Sequence, residues 1–256
     1  MRVSSTPSGG APGGWIGPSA AFRRRLLTWF ALCGRDLPWR RTRDAYRVLV
    51  SEFMLQQTQV PRVLEYYPRF LARFPSLGHL ARAKPHTVRE AWDGLGYYAR
   101  ARNLHALART VVERHDGLLP DDPDQLIELP GVGRYTAGAV ACFAYEKPVA
   151  AVDTNIARVI RRVWGIGNAK LGTRNGNAVS KKVWDIANRI VPRNGKTAWK
   201  FNQAMMELGA TVCTARKPKC PECPVRVQCR TGNARRTDAQ GRTGKKSRQA
   251  LRLPVV

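Results

Sequence analysis

The chain has 256 residues, 44 Lys+Arg against 18 Asp+Glu, a formal net charge of +26 and a sequence pI of about 11.0. Its hydrophobic fraction of 43% is ordinary for a soluble globular protein, and no apolar run approaches the ~20 residues that span a bilayer. The cation excess opposes compaction by self-repulsion, so it points to a polyanionic partner, nucleic acid first. An anionic membrane surface is the weaker candidate, because no basic amphipathic helix stands out.

Residues 1–18 are rich in Gly, Pro and Ser and are expected to be disordered. They contain no hydrophobic signal segment, which places the chain in a reducing cytoplasm, on the nucleoid. The ordered body is expected over 19–229. There apolar residues recur with helical spacing and strand-like alternation is scarce. Helices are predicted over 20–33, 45–56, 61–74, 78–82, 87–93, 99–115, 123–128, 134–145, 154–164, 178–191 and 198–210. Leu104, Leu107 and Val111 share one helical face, as do Val60, Val63, Leu64 and Tyr67 around Pro61, a good first helical residue. Turn chemistry separates the segments, as in FPSLG, LLPDDP and GNAKLGTRNGN. The fold class is all-α. Cys33 and Cys142 stand alone in apolar surroundings and are expected to be buried thiols.

Glu52 lies within YRVLVSEFMLQQ, flanked by Val48, Leu49, Phe53 and Leu55. Desolvation there would raise its pKa and keep it protonated near neutrality, as a general acid requires. A solvated helix-face glutamate is the competing reading.

Further on, DQLIELPGVGRYTAGAVACFAY reads as helix, tight turn, helix. The turn Leu129-Pro130-Gly131-Val132-Gly133 feeds a helix N-terminus at Arg134, where unpaired N–H groups favour an anion. This is the pattern of a helix–hairpin–helix, which grips DNA phosphate without reading sequence. An ordinary αα-hairpin is the alternative. Asp153 follows the apolar PVAAV and opens the next helix as an N-cap, a role compatible with a fixed catalytic carboxylate. An acid and a fixed carboxylate are the apparatus for cleaving a glycosidic bond through an oxocarbenium-like transition state. On DNA that bond joins base to deoxyribose and is reached by flipping the base.

Near the end, Cys213, Cys220, Cys223 and Cys229 are spaced C-x6-C-x2-C-x5-C, and Pro218, Pro221 and Pro224 forbid a continuous helix between them. A reducing compartment argues against disulfides. Spacing alone leaves both structural zinc and an iron–sulfur cluster open. Residues 230–256 carry eight basic side chains and one acidic one and are expected to form a disordered phosphate-binding arm.

Seven blocks together resemble the helix-hairpin-helix DNA glycosylase superfamily of endonuclease III, and most closely its adenine DNA glycosylase (MutY-type) branch. They are RDLPWR (35–40), SEFMLQQTQV (51–60), GLGYYARARNLH (94–105), LPGVGRYTAGAV (129–140), AVDTNIARV (151–159), FNQAMMELGA (201–210) and the four-cysteine loop. The resemblance implies a two-lobed fold. A six-helix barrel lobe would span 45–155, with its helix–hairpin–helix at 123–145, and an iron–sulfur lobe would combine 19–44 with 156–229. It also implies a 4Fe-4S cluster on the four cysteines. Glu52 would protonate the adenine leaving group and then help activate water, Asp153 would stabilise the oxocarbenium ion, and Asn155 would orient the site. Tyr135 stands where bifunctional relatives carry a nucleophilic lysine, so strand cleavage should be absent or weak. Gln57, Tyr97 and Leu95 would wedge into the duplex. Leu129, Gly131, Val132, Gly133 and Arg134 would hold phosphate, and Arg35, Arg40 and Gln203 would line the pocket for the extruded base. The partner implied is double-stranded DNA with a mismatch or oxidative lesion, bound by a monomer. The expected reaction is release of adenine mispaired with guanine or 8-oxoguanine.

The chain departs from the branch in stopping at Val256, where relatives usually continue into a MutT-like domain. That departure leaves discrimination for 8-oxoguanine open, with Gln57 and Tyr97 as the residues that could retain some of it. Short relatives with Tyr at the hairpin position also include thymine glycosylases acting on G:T mismatches. Release of thymine or uracil from G:T or G:U is therefore the first alternative, and a DNA-binding protein without catalysis the second. The QQTQ and GLGYYARARN blocks favour adenine.

Overall fold

The computed structural model describes residues 20–166 and 179–233. The expected tail at 1–18, the GNAKLGTRNGN turn and positions 234–256 of the arm expected over 230–256 lie outside them, while 230–233, expected as the start of that disordered arm, are helical. Among the described residues the regular elements are all helical. They are α1 (Ala20–Cys33), α2 (Ala45–Leu55), α3 (Val60–Arg73), α4 (Leu77–Arg82), α5 (Pro85–Ala91), α6 (Ala99–Arg114), α7 (Pro123–Leu126), α8 (Arg134–Phe143), α9 (Thr154–Trp164), α10 (Lys181–Ile190) and α11 (Gly195–Thr211). Short 3-10 turns cover Pro38–Arg40, Cys220–Glu222 and Arg226–Gln228.

The helix starts have identifiable causes. Asp44, Asp153 and Asn194 each accept an N–H of the following turn, from Arg47, Ile156 and Thr197, at 2.8, 2.6 and 3.0 Å. Such a cap contributes about 1 kcal/mol. Helices α3 and α5 instead begin with a proline in the first turn, where a missing N–H costs nothing, and α7 has both such a proline and a cap, Asp122 accepting the Asp124 N–H at 3.0 Å. Pro85 thus starts α5 two residues before the expected 87. Asn194 likewise starts α11 before the expected 198.

Helix α2 is central. It packs on α3, α6 and α8, while α4 and α5 close on α6 and α7 on α8. A second group forms where α9 packs on α10 and α11, and α1 lies on α11. Helix α11 also meets α8, so the core runs from one group into the other. Fully buried aromatics fill it: Phe53, Phe70 and Trp92 on one side, Phe22 and Phe201 on the other. Each such side chain contributes about 1.5–3 kcal/mol by leaving water.

The expected face of α6 holds, with Leu104, Leu107 and Val111 all at 0% exposure. Two apolar expectations do not hold. Leu64 of α3 is 37% exposed, one position off the stripe made by Val63, Tyr67 and Phe70. Cys33 is exposed, because it is the last residue of α1 and the helix outruns the core there, leaving neighbouring Leu32 80% exposed. Cys142 is buried as expected and takes a hydrogen bond from the Asn202 amide at 3.3 Å.

Candidate active site and cluster loop

A cleft of about 970 Å³ opens where α2, the Pro38–Arg40 turn, α11 and the N-termini of α8 and α9 converge. Glu52 enters it from α2, on a helix almost wholly buried from Val48 to Met54, and is itself 4% exposed. Burial pushes its carboxyl from an ordinary value near 4.5 up to about 7; the nearby Asp153 charge adds to this, while Tyr135 and Arg40 oppose it. The Tyr135 hydroxyl donates to Glu52 Oε2 at 2.6 Å. Burial and the two carboxyls raise the Tyr135 phenol well above its ordinary range, so it stays a neutral donor.

Asp153 faces the same cleft from the start of α9. One oxygen caps the helix through the Ile156 N–H at 2.6 Å, and the other accepts the Asn155 amide at 2.7 Å. The Asn155 amide is itself oriented, since its oxygen accepts from Arg158 at 2.7 Å. Burial raises the Asp153 carboxyl above its ordinary value, and these hydrogen bonds and the Arg158 charge offset only part of that rise. The result is a proton-holding carboxyl opposite a carboxylate braced by two donors, the division of labour that glycosidic bond cleavage requires.

Another part of the cleft is a network that the sequence reading found only in part. Arg35, Arg40 and Gln203 come together as expected, around Glu207, which was not anticipated. Arg35 grips Glu207 with Nε–Oε1 2.6 Å and a second guanidinium nitrogen to Oε2 at 3.0 Å, and Arg40 reaches Oε2 at 2.7 Å. Arg40 Nε also donates to Gln203 Oε1 at 2.8 Å. Glu207 is 0% exposed; burial alone would raise its carboxyl, but the two guanidiniums hold it below the ordinary value. Buried Trp39 and Leu37 add apolar walls, giving a slot with flat sides and fixed polar groups.

Around the cleft, the turn before α8 is built as its composition implied. Gly131 has φ +77°, and a Cβ there would sit 2.6 Å from the Asn103 Cβ, so glycine is required twice over. Leu129 and Val132 are buried and anchor the turn, while Gly131, Gly133 and Arg134 are exposed. Gly133 starts α8 without a side-chain cap, leaving first-turn N–H groups for an outside acceptor. Arg134 stacks on Trp184 at 4.0 Å.

Gln57 and Tyr97 project from two neighbouring turns, both at positive φ (57° and 48°), and Tyr97 is 63% exposed. Leu95, expected beside them as a wedge, is 6% exposed and belongs to the core, because its apolar side chain faces inward while the turn presents Tyr97.

The four cysteines line one cavity with Val212 and Pro218. Cys213 Sγ accepts from Arg162 and Cys229 Sγ from the Gly232 N–H, both at 3.3 Å. Lys219 and Arg226 border the same space. Burial pushes the Cys223 thiol up to about 11, so thiolates here need a positive centre. Four sulfurs, N–H groups aimed at them and flanking cations fit a 4Fe-4S cluster, whose four thiolates around a 2+ core leave about −2 to be offset.

Comparison with known proteins agrees with this geometry. A family model described as "HhH-GPD superfamily base excision DNA repair protein" matches residues 50–206, and one described as "Iron-sulfur binding domain of endonuclease III" matches 213–229. The second match decides between the metals that spacing left open, in favour of iron–sulfur. The chain is 46% identical over 224 residues to the adenine DNA glycosylase of Rattus norvegicus, covering 84% of this chain and 42% of that protein. It thus spans about two fifths of the length of the mammalian relatives it matches. It is 40% identical over 211 residues to the thymine-DNA glycosylase of Aeropyrum pernix, covering 82% of this chain and 93% of that one. The solved structure of a thermostable thymine-DNA glycosylase superposes with a TM-score of 0.75 at 33% identity, covering 83% of this chain and 95% of that one. The chain belongs to the HhH-GPD superfamily of base excision DNA repair proteins and carries that superfamily's endonuclease III-type iron–sulfur motif.

Proposed function

We propose that the protein is a monofunctional adenine DNA glycosylase that acts as a monomer on adenine mispaired with guanine or 8-oxoguanine. The observation that carries this is Glu52: a carboxyl held at about 7 by burial, hydrogen-bonded to Tyr135 and sharing a cleft with Asp153. We read the two packing groups of helices as the barrel lobe and the cluster lobe, with the cleft between them. The net charge of +26 draws the protein onto duplex DNA and keeps it at the nucleoid, and residues 129–134 hold phosphate through backbone N–H groups.

Gln57 and Tyr97 enter the duplex, and the extruded adenine occupies the slot formed by Trp39, Arg40, Gln203 and Glu207. Glu52 gives its proton to a ring nitrogen of adenine, and the C1′–N9 bond breaks with its electron pair leaving on the base. Asp153, braced by Asn155, stabilises the oxocarbenium ion electrostatically. Water then attacks C1′ and returns a proton to Glu52. Tyr135 stands at the hairpin position and has no amine to form a Schiff base, so strand cleavage is absent or weak. The cluster, when bound, supplies order to a cationic loop at 213–229 and takes no part in these steps.

A second reading, thymine or uracil release from G:T or G:U pairs, is favoured by the 93% of the Aeropyrum pernix thymine-DNA glycosylase that the chain matches. Single-turnover base release from A:8-oxoG, A:G, T:G and U:G duplexes separates the two. Adenine release from the first two supports the proposal; faster release of thymine or uracil overturns it.

A further inference from the structure

The segment GLGYYARARN supplies a buried cation that the chemistry above does not use. Arg100, near the start of α6, is 7% exposed. Its guanidinium donates to backbone carbonyls of two separate segments. From the end of α2 it takes Phe53 at 3.0 Å, Met54 at 2.8 Å and, beyond the helix, Gln56. From the turn before α6 it takes Leu95 and Gly96, each at 3.1 Å. These partners are all neutral, and the α2 carbonyls are last-turn acceptors that the helix leaves unpaired. The guanidinium also packs against the rings of Trp92 and Tyr97, at 5.4 and 5.6 Å. Its Nε is buried with no partner, so the site retains a charge there at a cost in desolvation.

What the two segments share is the residue that follows. Gln57 comes directly after Gln56, and Tyr97 directly after Gly96. Both are exposed residues other than glycine in the left-handed region, at φ 57° and 48°. Backbone of that kind persists only where its surroundings over-determine it. Glu52 immediately precedes Phe53, so the same guanidinium also fixes the helix end that carries the acid.

We propose that Arg100 is a positioning residue: its guanidinium locks Gln57 and Tyr97 into one preorganised pair for entering the DNA duplex, at a fixed offset from Glu52. This rests on the reading of Gln57 and Tyr97 as duplex-entering residues. A planar fork of N–H donors reaches both segments at once. A lysine ammonium, with three protons on one atom, does not.

The test uses the full chain with Arg100→Met and Arg100→Lys, and a duplex carrying 2-aminopurine opposite guanine, whose fluorescence rises as the base leaves the stack. Both variants should unstack the base at least about tenfold more slowly at saturating protein, with duplex affinity nearly unchanged. Adenine release should fall with it in an A:G duplex, yet be largely restored when the adenine lies opposite an abasic site and needs no wedge. Wild-type unstacking rates in both variants, or an equal loss on the two substrates, overturn the proposal. If Arg100→Met melts before assay, hydrogen exchange of Arg100→Lys decides. Amides 57–58 and 95–97 should exchange at least about tenfold faster with α8 and α11 unchanged, and unchanged protection overturns the proposal. Unstacking by wild type without release of any base would sink the glycosylase reading and leave the Arg100 result interpretable.

Discussion

Replacing Glu52 by glutamine should stabilise the fold while removing the proposed acid, and the gain should depend on pH. The carboxyl moves from about 4.5 in the unfolded chain to about 7 in the cleft. The folded state therefore holds this proton more tightly than the unfolded one. Stability is lost as pH rises from about 4.5 through about 7, and the full penalty is present above that. The gap corresponds to roughly 3 kcal/mol. Glutamine carries no charge, keeps the shape and still accepts the Tyr135 hydroxyl. At about pH 8 Glu52→Gln should be more stable than wild type by roughly 2–3 kcal/mol, a rise of about 5–10 °C in apparent Tm. At about pH 5 the two should differ by less than roughly 1 kcal/mol. Parallel thermal melts at the two pH values measure this. A Tm difference that is the same at both, or a variant less stable at the higher pH, would refute the claim that desolvation tunes this carboxyl.

Three further outcomes follow from the geometry. Asp153→Asn should retain the α9 cap, leaving stability within about 1 kcal/mol of wild type, but lower single-turnover base release by about 10²–10³-fold through loss of the charge. Gly131→Ala forces a Cβ to within 2.6 Å of the Asn103 Cβ at φ +77°. It should weaken duplex binding about tenfold regardless of sequence, as gel shifts with matched and mismatched DNA would register. Cys223→Ser should cost the visible iron–sulfur absorbance and bound iron, and expose the loop to trypsin at Arg216 and Lys219. Full occupancy by zinc in the wild type would contradict the cluster assignment.

The helices were legible because their apolar residues repeat at helical spacing and many of their starts, those of α2, α3, α5, α7, α9 and α11 among them, carry caps or prolines; Asp153 could be read as an N-cap from AVDTN alone. Cys33 was misread because local apolarity says nothing about whether a helix end outruns the core. Leu95 and Tyr97 are two residues apart, and only the turn geometry decides which faces solvent. Glu207 was invisible as a functional residue. Within QAMMELGA it looks like an exposed helix acid, and its partners Arg35 and Arg40 lie 172 and 167 residues away. Its one local signal is its place next to Leu208 and three residues after Ala204, on the buried side of α11. Arg100 was hidden by composition, since ARARN in so basic a chain reads as another phosphate contact. Its backbone-carbonyl partners carry no side-chain signature.

The pH dependence of single-turnover adenine release from an A:8-oxoG duplex, with wild type and Glu52→Gln measured side by side, tests the central claim most directly. The account predicts a wild-type rate that is level below about pH 7 and falls about tenfold per pH unit above it, with no measurable release by Glu52→Gln at any pH. A wild-type rate that climbs through pH 7, or turnover by Glu52→Gln near that of wild type, would contradict it.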